Sequence, residues 1–123
     1  MRLGASRSDV SEALGEEPRH FAKGDNRNVV EAYDKAGVHA YYDSGGRLEF
    51  VEAFGPCRPV YAGVQLLGPD AVSVVGRMRD LGLTGREDGE GGVWFDEHGF
   101  ALYVPGEASE GVSVFPRGYD SGV

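Results

Sequence analysis

Residues 38–54, VHAYYDSGGRLEFVEAF, constrain this chain more than any other stretch. Two runs of aromatic and aliphatic residues flank Asp43-Ser44-Gly45-Gly46. That is the pattern of a β-hairpin, with glycines supplying the positive φ that a tight reversal needs. Strand alternation places Val38, Ala40 and Tyr42 on one face and His39 and Tyr41 on the other. On the returning strand, Leu48, Phe50 and Phe54 are expected to face the core, with Glu52 interrupting them and Arg47, Glu49, Val51 and Ala53 alternating. A second hairpin is expected at residues 93–104, VWFDEHGFALYV, turning at Glu97-His98-Gly99.

Other elements fall around these ribbons. Residues 6–14 read as a short helix, because Val10, Ala13 and Leu14 share one helical face. Ser6 suits its N-cap, with Asp9 three positions on, and Gly15 suits its stop before Pro18. Residues 19–28 are polar and read as a loop around Gly24-Asp25-Asn26, and residues 29–33 as a strand. Residues 59–67 read as one strand feeding a second helix over 69–81. There Pro69 suits the first turn, and Val72, Val75, Met78 and Leu81 form the expected apolar face. Residues 86–92 read as a polar turn, 112–115 as a last strand and 116–123 as a loose tail.

The two halves align with each other. Leu3-Gly4 and Leu67-Gly68 each precede a helix; Gly37-Val38 and Gly92-Val93 each open a hairpin. Tyr42-Asp43 with Gly46 matches Phe95-Asp96 with Gly99, and Phe50-Val51 matches Tyr103-Val104. Neither unit is large enough to bury its own apolar face. The expected fold is therefore α+β: a tandem duplication of a helix followed by an antiparallel hairpin or meander. One continuous antiparallel sheet would carry both helices on one face. With 123 residues, 41% of them hydrophobic, a single domain built from repeats of about 1–58 and 59–123 can hold a real core.

The segment from Leu3-Gly4 through Val10, Leu14 and Gly15 to Pro18, followed by an antiparallel sheet, is similar to the tandem repeats of β-lactamase inhibitor proteins. It also resembles small outer-membrane lipoprotein domains. The resemblance covers mainly residues 3–18 and the order of elements, and it implies a binding role without catalysis. The paired cysteines of the inhibitors and the lipid-bearing cysteine of the lipoproteins have no counterpart here, so no functional residue carries over.

The net charge of −8 and a pI of about 4.8 argue against a nucleic-acid partner and against docking on an anionic membrane. Cys57 is the only cysteine, so no internal disulfide forms, and a cytoplasmic location is expected. No apolar run reaches the length of a signal peptide or a membrane helix.

The chemistry-bearing residues show no shared motif. Cys57, His20, His39 and His98 lack metal-ligand spacing, and no phosphate loop, dinucleotide fingerprint or nucleophile elbow occurs. Arg58 beside Cys57 is the one feature that would lower its pKa. Asp43 and Asp96 suit turn starts, where their side chains bond backbone N–H groups, and His98 is expected in solvent. No cofactor, metal or catalytic residue is expected. What stands out is the aromatic supply: a sheet covered on one side buries only half of it. Tyr41, His39, Trp94 and Tyr103 are the candidate partner-binding residues on the open face, since Trp and Tyr anchor interfaces. The expected function is an acidic protein-binding module of the inhibitor or immunity type. One alternative is a small-molecule-binding protein or enzyme with a pocket near His39, Tyr41 and Cys57. Another is a self-associating structural subunit, in which a homodimer covers the same face.

Overall fold

The computed structural model describes residues 2–22 and 29–117. Helix α1 (Arg7–Leu14) is capped by Ser6, whose hydroxyl accepts from the Asp9 N–H, and it ends at Gly15 with φ of 63°. Strands β1 (Arg19–Ala22), β2 (Val29–Tyr33), β3 (Val38–Tyr42) and β4 (Leu48–Phe54) follow as a meander. A two-stranded ribbon, β5 (Val60–Tyr61) and β6 (Val64–Gln65), leads into α2 (Ala71–Asp80). The second meander is β7 (Arg86–Glu87), β8 (Gly92–Phe95), β9 (Phe100–Tyr103) and β10 (Gly111–Val114), with a 3-10 turn (Asp96–His98) between β8 and β9.

The eight main strands form one antiparallel sheet in the order β1-β2-β3-β4-β10-β9-β8-β7. The two meanders thus run outward from a central β4–β10 pair, each with its own helix. Val10 of α1 packs with Tyr33, Val38, Ala40, Tyr42, Leu48 and Val51. Val74 and Met78 of α2 pack with Val93, Phe95, Phe100, Leu102 and Val112, joined by Val64 and Leu66 of the ribbon. Cross-strand register places all of these strand residues on the same face, so both helices and the ribbon cover one side. Truncating a side chain as buried as Met78 costs about 2–5 kcal/mol.

The second hairpin, the antiparallel sheet and the helical side of the core follow the sequence reading, and several local features differ. Residues 19–22 are the edge strand β1, not loop, because Arg19 pairs with Asp34 across the turn that follows β2. The expected loop at Gly24-Asp25-Asn26 and the tail from residue 118 on lie outside the described residues. Residues 59–67 reverse at Ala62-Gly63, where φ is 49° and 81°, so they form a ribbon instead of one strand. Residues 86–87 are a short edge strand. Helix α2 starts after Asp70, whose carboxylate accepts from the Ser73 N–H, and the Ala71 N–H donates to the Glu107 carbonyl at 2.9 Å. That pins Ala71, Val74 and Met78 inward and leaves Val72 83% exposed and Leu81 47% exposed. In β4, Glu49 is an extra residue: Tyr42 faces Leu48, yet Tyr41 faces Phe50. This bulge switches the alternation. Leu48 points to the core as expected, but beyond the bulge Val51 and Ala53 point to the core and Phe50, Glu52 and Phe54 to the opposite face, the reverse of the sequence expectation for those residues.

The internal repeat runs one strand out of step with the sequence alignment. Gly37 and Gly99 occupy matching positions, with φ of 74° and 76°. The Gly37 N–H donates to the Tyr33 carbonyl at 2.9 Å and the Gly99 N–H to the Phe95 carbonyl at 3.1 Å. The Gly37 carbonyl in turn accepts from the Phe54 N–H, and that of Gly99 from the Phe115 N–H. Tyr33-Asp34 with Gly37 therefore matches Phe95-Asp96 with Gly99. The charges repeat as well: Arg19 grips Asp34 through Nε and Nη2, both at 3.1 Å, and Arg86 grips Asp96 at 3.1 and 3.3 Å. Asp96 is thus an ion-pair partner, whereas Asp43 is a turn residue bonding the Gly45 and Arg47 N–H groups.

Candidate functional site

The face of the sheet opposite the helices carries His39 and Tyr41 from β3, Phe50, Glu52 and Phe54 from β4, and Phe21 from β1. From the other half it carries Tyr103 and Ala101 from β9, Trp94 from β8, Gly111 and Ser113 from β10, and Phe115 just beyond it. The rings touch in two series. Phe21, His39 and Phe54 follow at centroid distances of 5.3 and 5.0 Å. Tyr41, Phe50, Phe115 and Trp94 follow at 5.4, 6.1 and 5.4 Å. Edge-to-face and tilted pairs of this kind suit the ring quadrupole and stiffen the layer. Helices α1 and α2 and the β5–β6 ribbon pack against the other face.

All four candidate binding residues lie on this face. Tyr103 is 51% exposed, Trp94 and Tyr41 are half-buried, and His39 stands between Phe21 and Phe54. Trp94 is fixed at the periphery by its indole N–H, which donates to Asp88 Oδ2 at 2.9 Å, and by the Arg86 guanidinium over its ring. That hydrogen bond, with those from the Glu90 and Gly92 N–H groups, holds the Asp88 carboxyl below its ordinary range.

Glu52 sits at the middle of the face, its side chain 23% exposed. The Tyr41 hydroxyl donates to Glu52 Oε1, and His39 Nδ1 lies 3.8 Å from the same oxygen. Burial, then the bond to Glu52, pushes the Tyr41 phenol up, so it stays a donor. Beside Glu52 is a hollow of about 200 Å³ lined by Glu52, Phe54, Tyr103, Gly111, Val112 and Ser113. Sequence reasoning missed Glu52 and Phe54 because the bulge at Glu49 was invisible to a strict period of two, and Gly111 because the last strand was expected to begin at residue 112; the one signal was Glu52 itself, a charge breaking an apolar run.

On the helix side, Glu31 is a second unforeseen group. Its side chain is 6% exposed. Oε1 accepts from the Tyr42 hydroxyl at 2.8 Å and the Tyr33 hydroxyl at 3.1 Å; Oε2 meets His20 Nε2 at 3.2 Å and Arg7 at 3.4 Å. Burial works to raise the Glu31 pKa, but the Tyr42, Tyr33 and His20 bonds and the Arg7 charge outweigh it and leave it lowered. The same arrangement drives Tyr33 up to about 12, through burial first and then the Glu31 charge. Every group in this cluster is satisfied within it, and its arrangement is that of a structural network tying α1 to β1, β2 and β3.

The expected pocket of His39, Tyr41 and Cys57 does not form. His39 and Tyr41 point to the face opposite the helices, whereas Cys57, beyond the end of β4, packs against the core cluster under α1. The sheet separates them. Burial raises the Cys57 thiol pKa more than its Arg58 backbone contact lowers it. His98 is not simply solvated: its Nδ1 lies 3.3 Å from the Tyr61 hydroxyl. Among the described residues, no group of three His, Cys, Asp or Glu is placed to hold a metal ion, and no helix is long and apolar enough to cross a membrane. Comparison of the chain with protein-family models, with curated proteins and with solved structures finds no match in any of the three.

Proposed function

We propose that this chain is a binding module of the inhibitor or immunity type, holding a partner protein against the open face of its sheet. The observation that carries this reading is that Tyr41, Trp94, Tyr103 and His39 share one face while both helices and the ribbon pack on the other. Tyrosine and tryptophan bury large area with few rotatable bonds and keep a polar handle, which makes them the usual anchors of protein interfaces. Their packing into ring series holds the surface in its binding shape before contact, so little side-chain entropy is lost on association. Glu52 in the centre and the arginine–aspartate pairs at the two edges supply the polar contacts that set orientation.

The test is paired capture from the native cell with the wild type, Tyr103→Asp and Val72→Asp as baits. Both changes place a charge at an exposed position, one on the open face and one on α2. Proteins held through the open face are retained by the wild type and Val72→Asp and lost with Tyr103→Asp. Equal retention by all three baits contradicts the reading. If the wild type instead dimerises in light scattering and Tyr103→Asp is monomeric, the face is an interface between copies.

A further inference from the structure

The sheet ends at β7 with unused backbone groups, and a hollow lies directly beside them. Residues 84–88 are exposed along their whole length. The Asp88 N–H donates to the Gly92 carbonyl at 3.1 Å, while Arg86 and Glu87 stand opposite Trp94 and Val93. In an antiparallel ladder, alternate residues turn their N–H and C=O toward the neighbouring strand. Arg86 therefore points inward with Asp88, and Gly85 and Glu87 point outward. Among the described residues, nothing bonds those outward groups. Two positions spaced in this way, each with a donor and an acceptor, are what a further antiparallel strand needs in order to add.

The hollow, of about 550 Å³, lies on the helix face between α2 and this edge. Val75 of α2 forms one wall, Gly85 and Glu87 the other, and Leu83, Val93 and Phe95 the floor. Gly85 brings that floor to the edge. A Cβ there would lie 2.9 Å from Val93 Cγ1 and 3.1 Å from Phe95 Cε1, so these apolar side chains take up the space its own side chain would need. The charges are uneven as well. Arg86, on the other face, is held by Asp96, whereas the Glu87 carboxylate has no partner among the described residues.

We propose that an extended segment of a partner protein adds to β7 as a further antiparallel strand, with a basic residue, any residue and a large apolar residue in that order. Its main chain bonds the outward groups of Gly85 and Glu87. The basic residue comes opposite Glu87 and the apolar residue opposite Gly85, both on the helix face, and the apolar side chain enters the hollow. The antiparallel direction fixes this order from N- to C-terminus. Opposite charges at facing strand positions attract, and a net charge of −8 draws in a basic segment. A charged edge also deters indiscriminate pairing, so a segment without the complementary charge is disfavoured. This site lies on the other side of the sheet from Tyr103 and does not depend on the reading of that face.

The experiment titrates the isotope-labelled chain, followed by amide NMR, with a short capped glycine-serine peptide carrying lysine, threonine and leucine in that order at its centre. Saturable shifts appear at Gly85 and Glu87, and the Glu87 amide becomes protected from exchange. The reversed order, leucine-threonine-lysine, and a peptide with alanine for leucine bind several-fold more weakly. Glu87→Gln weakens binding about threefold, the worth of an exposed ion pair. Glu87→Lys inverts the preference, so that a glutamate-threonine-leucine peptide binds better than the lysine one. Glu87→Pro removes an N–H that the β7–β8 ladder does not use and weakens binding about tenfold. Should the proline disturb the fold, the charge inversion at Glu87→Lys decides. Absence of saturable shifts at Gly85 and Glu87 overturns the proposal, as does equal binding of the reversed peptide or an unchanged preference in Glu87→Lys. Shifts confined to Tyr103 and Ser113 place the peptide on the other face and overturn it too.

Discussion

Replacing Gly99 by alanine should cost far more stability than replacing Gly46, although both glycines end a hairpin turn with nearly the same φ, 76° and 75°. Placing an L side chain in the left-handed region costs about 1–2 kcal/mol. Restricting the unfolded chain returns about 0.4–1 kcal/mol. At Gly46 nothing lies within 4 Å of an added Cβ, so the balance of about 1 kcal/mol is the whole effect. At Gly99 the Cβ would lie 2.6 Å from the Phe115 carbonyl oxygen, which must move. That movement pulls on the 2.9 Å bond from the Phe115 N–H to the Gly99 carbonyl, at the end of central strand β10. Losing the bond and leaving its buried groups unpaired adds about 2–4 kcal/mol. Gly99→Ala should therefore cost roughly 4 kcal/mol, and Gly37→Ala, which meets the Phe54 carbonyl in the same way, a similar amount. Urea unfolding with an unchanged m-value measures this directly. Equal losses at Gly46 and Gly99, or a mild effect at Gly37, would refute the register of the repeat described above and restore the match of Gly46 to Gly99.

Two further outcomes follow from the buried groups. Because Glu31 has a lowered pKa in the folded state, its contribution is complete above its unfolded value, near 4.3, and is lost as pH falls through the folded value. Glu31→Gln should cost about 2 kcal/mol or more at neutral pH, with the gap to wild type narrowing below about pH 4; a constant gap in unfolding midpoints across that range would contradict the assignment. Cys57, its thiol pushed up by burial, should react with a disulfide reagent more slowly than free cysteine at mildly alkaline pH, and a faster reaction would mark it as activated.

Much of the fold was legible because local chemistry and global packing agree. The capped helix after Ser6, the Asp43–Gly46 turn and the alternation in β3 each have one physical solution, and the chain takes it. What was not legible depended on single contacts between distant residues. The edge strands β1 and β7 are short and polar, and their place is marked by Arg19–Asp34 and Arg86–Asp96, pairs separated by 15 and 10 positions. The phase of α2 depended on Asp70 and on a bond from Ala71 to Glu107. The site was half legible: residue types and alternation placed Tyr41, His39, Trp94 and Tyr103 together, but one inserted residue, Glu49, moved Phe50, Glu52 and Phe54 to join them.

The most direct measurement of the open-face claim is hydroxyl-radical footprinting of the captured complex against the free chain. Tyr103, Trp94 and Phe54 should become protected while Val72 and Leu81 on α2 react as before. Protection of Val72 and Leu81, with Tyr103 and Trp94 as reactive as in the free chain, would place the partner on the helices and contradict the account.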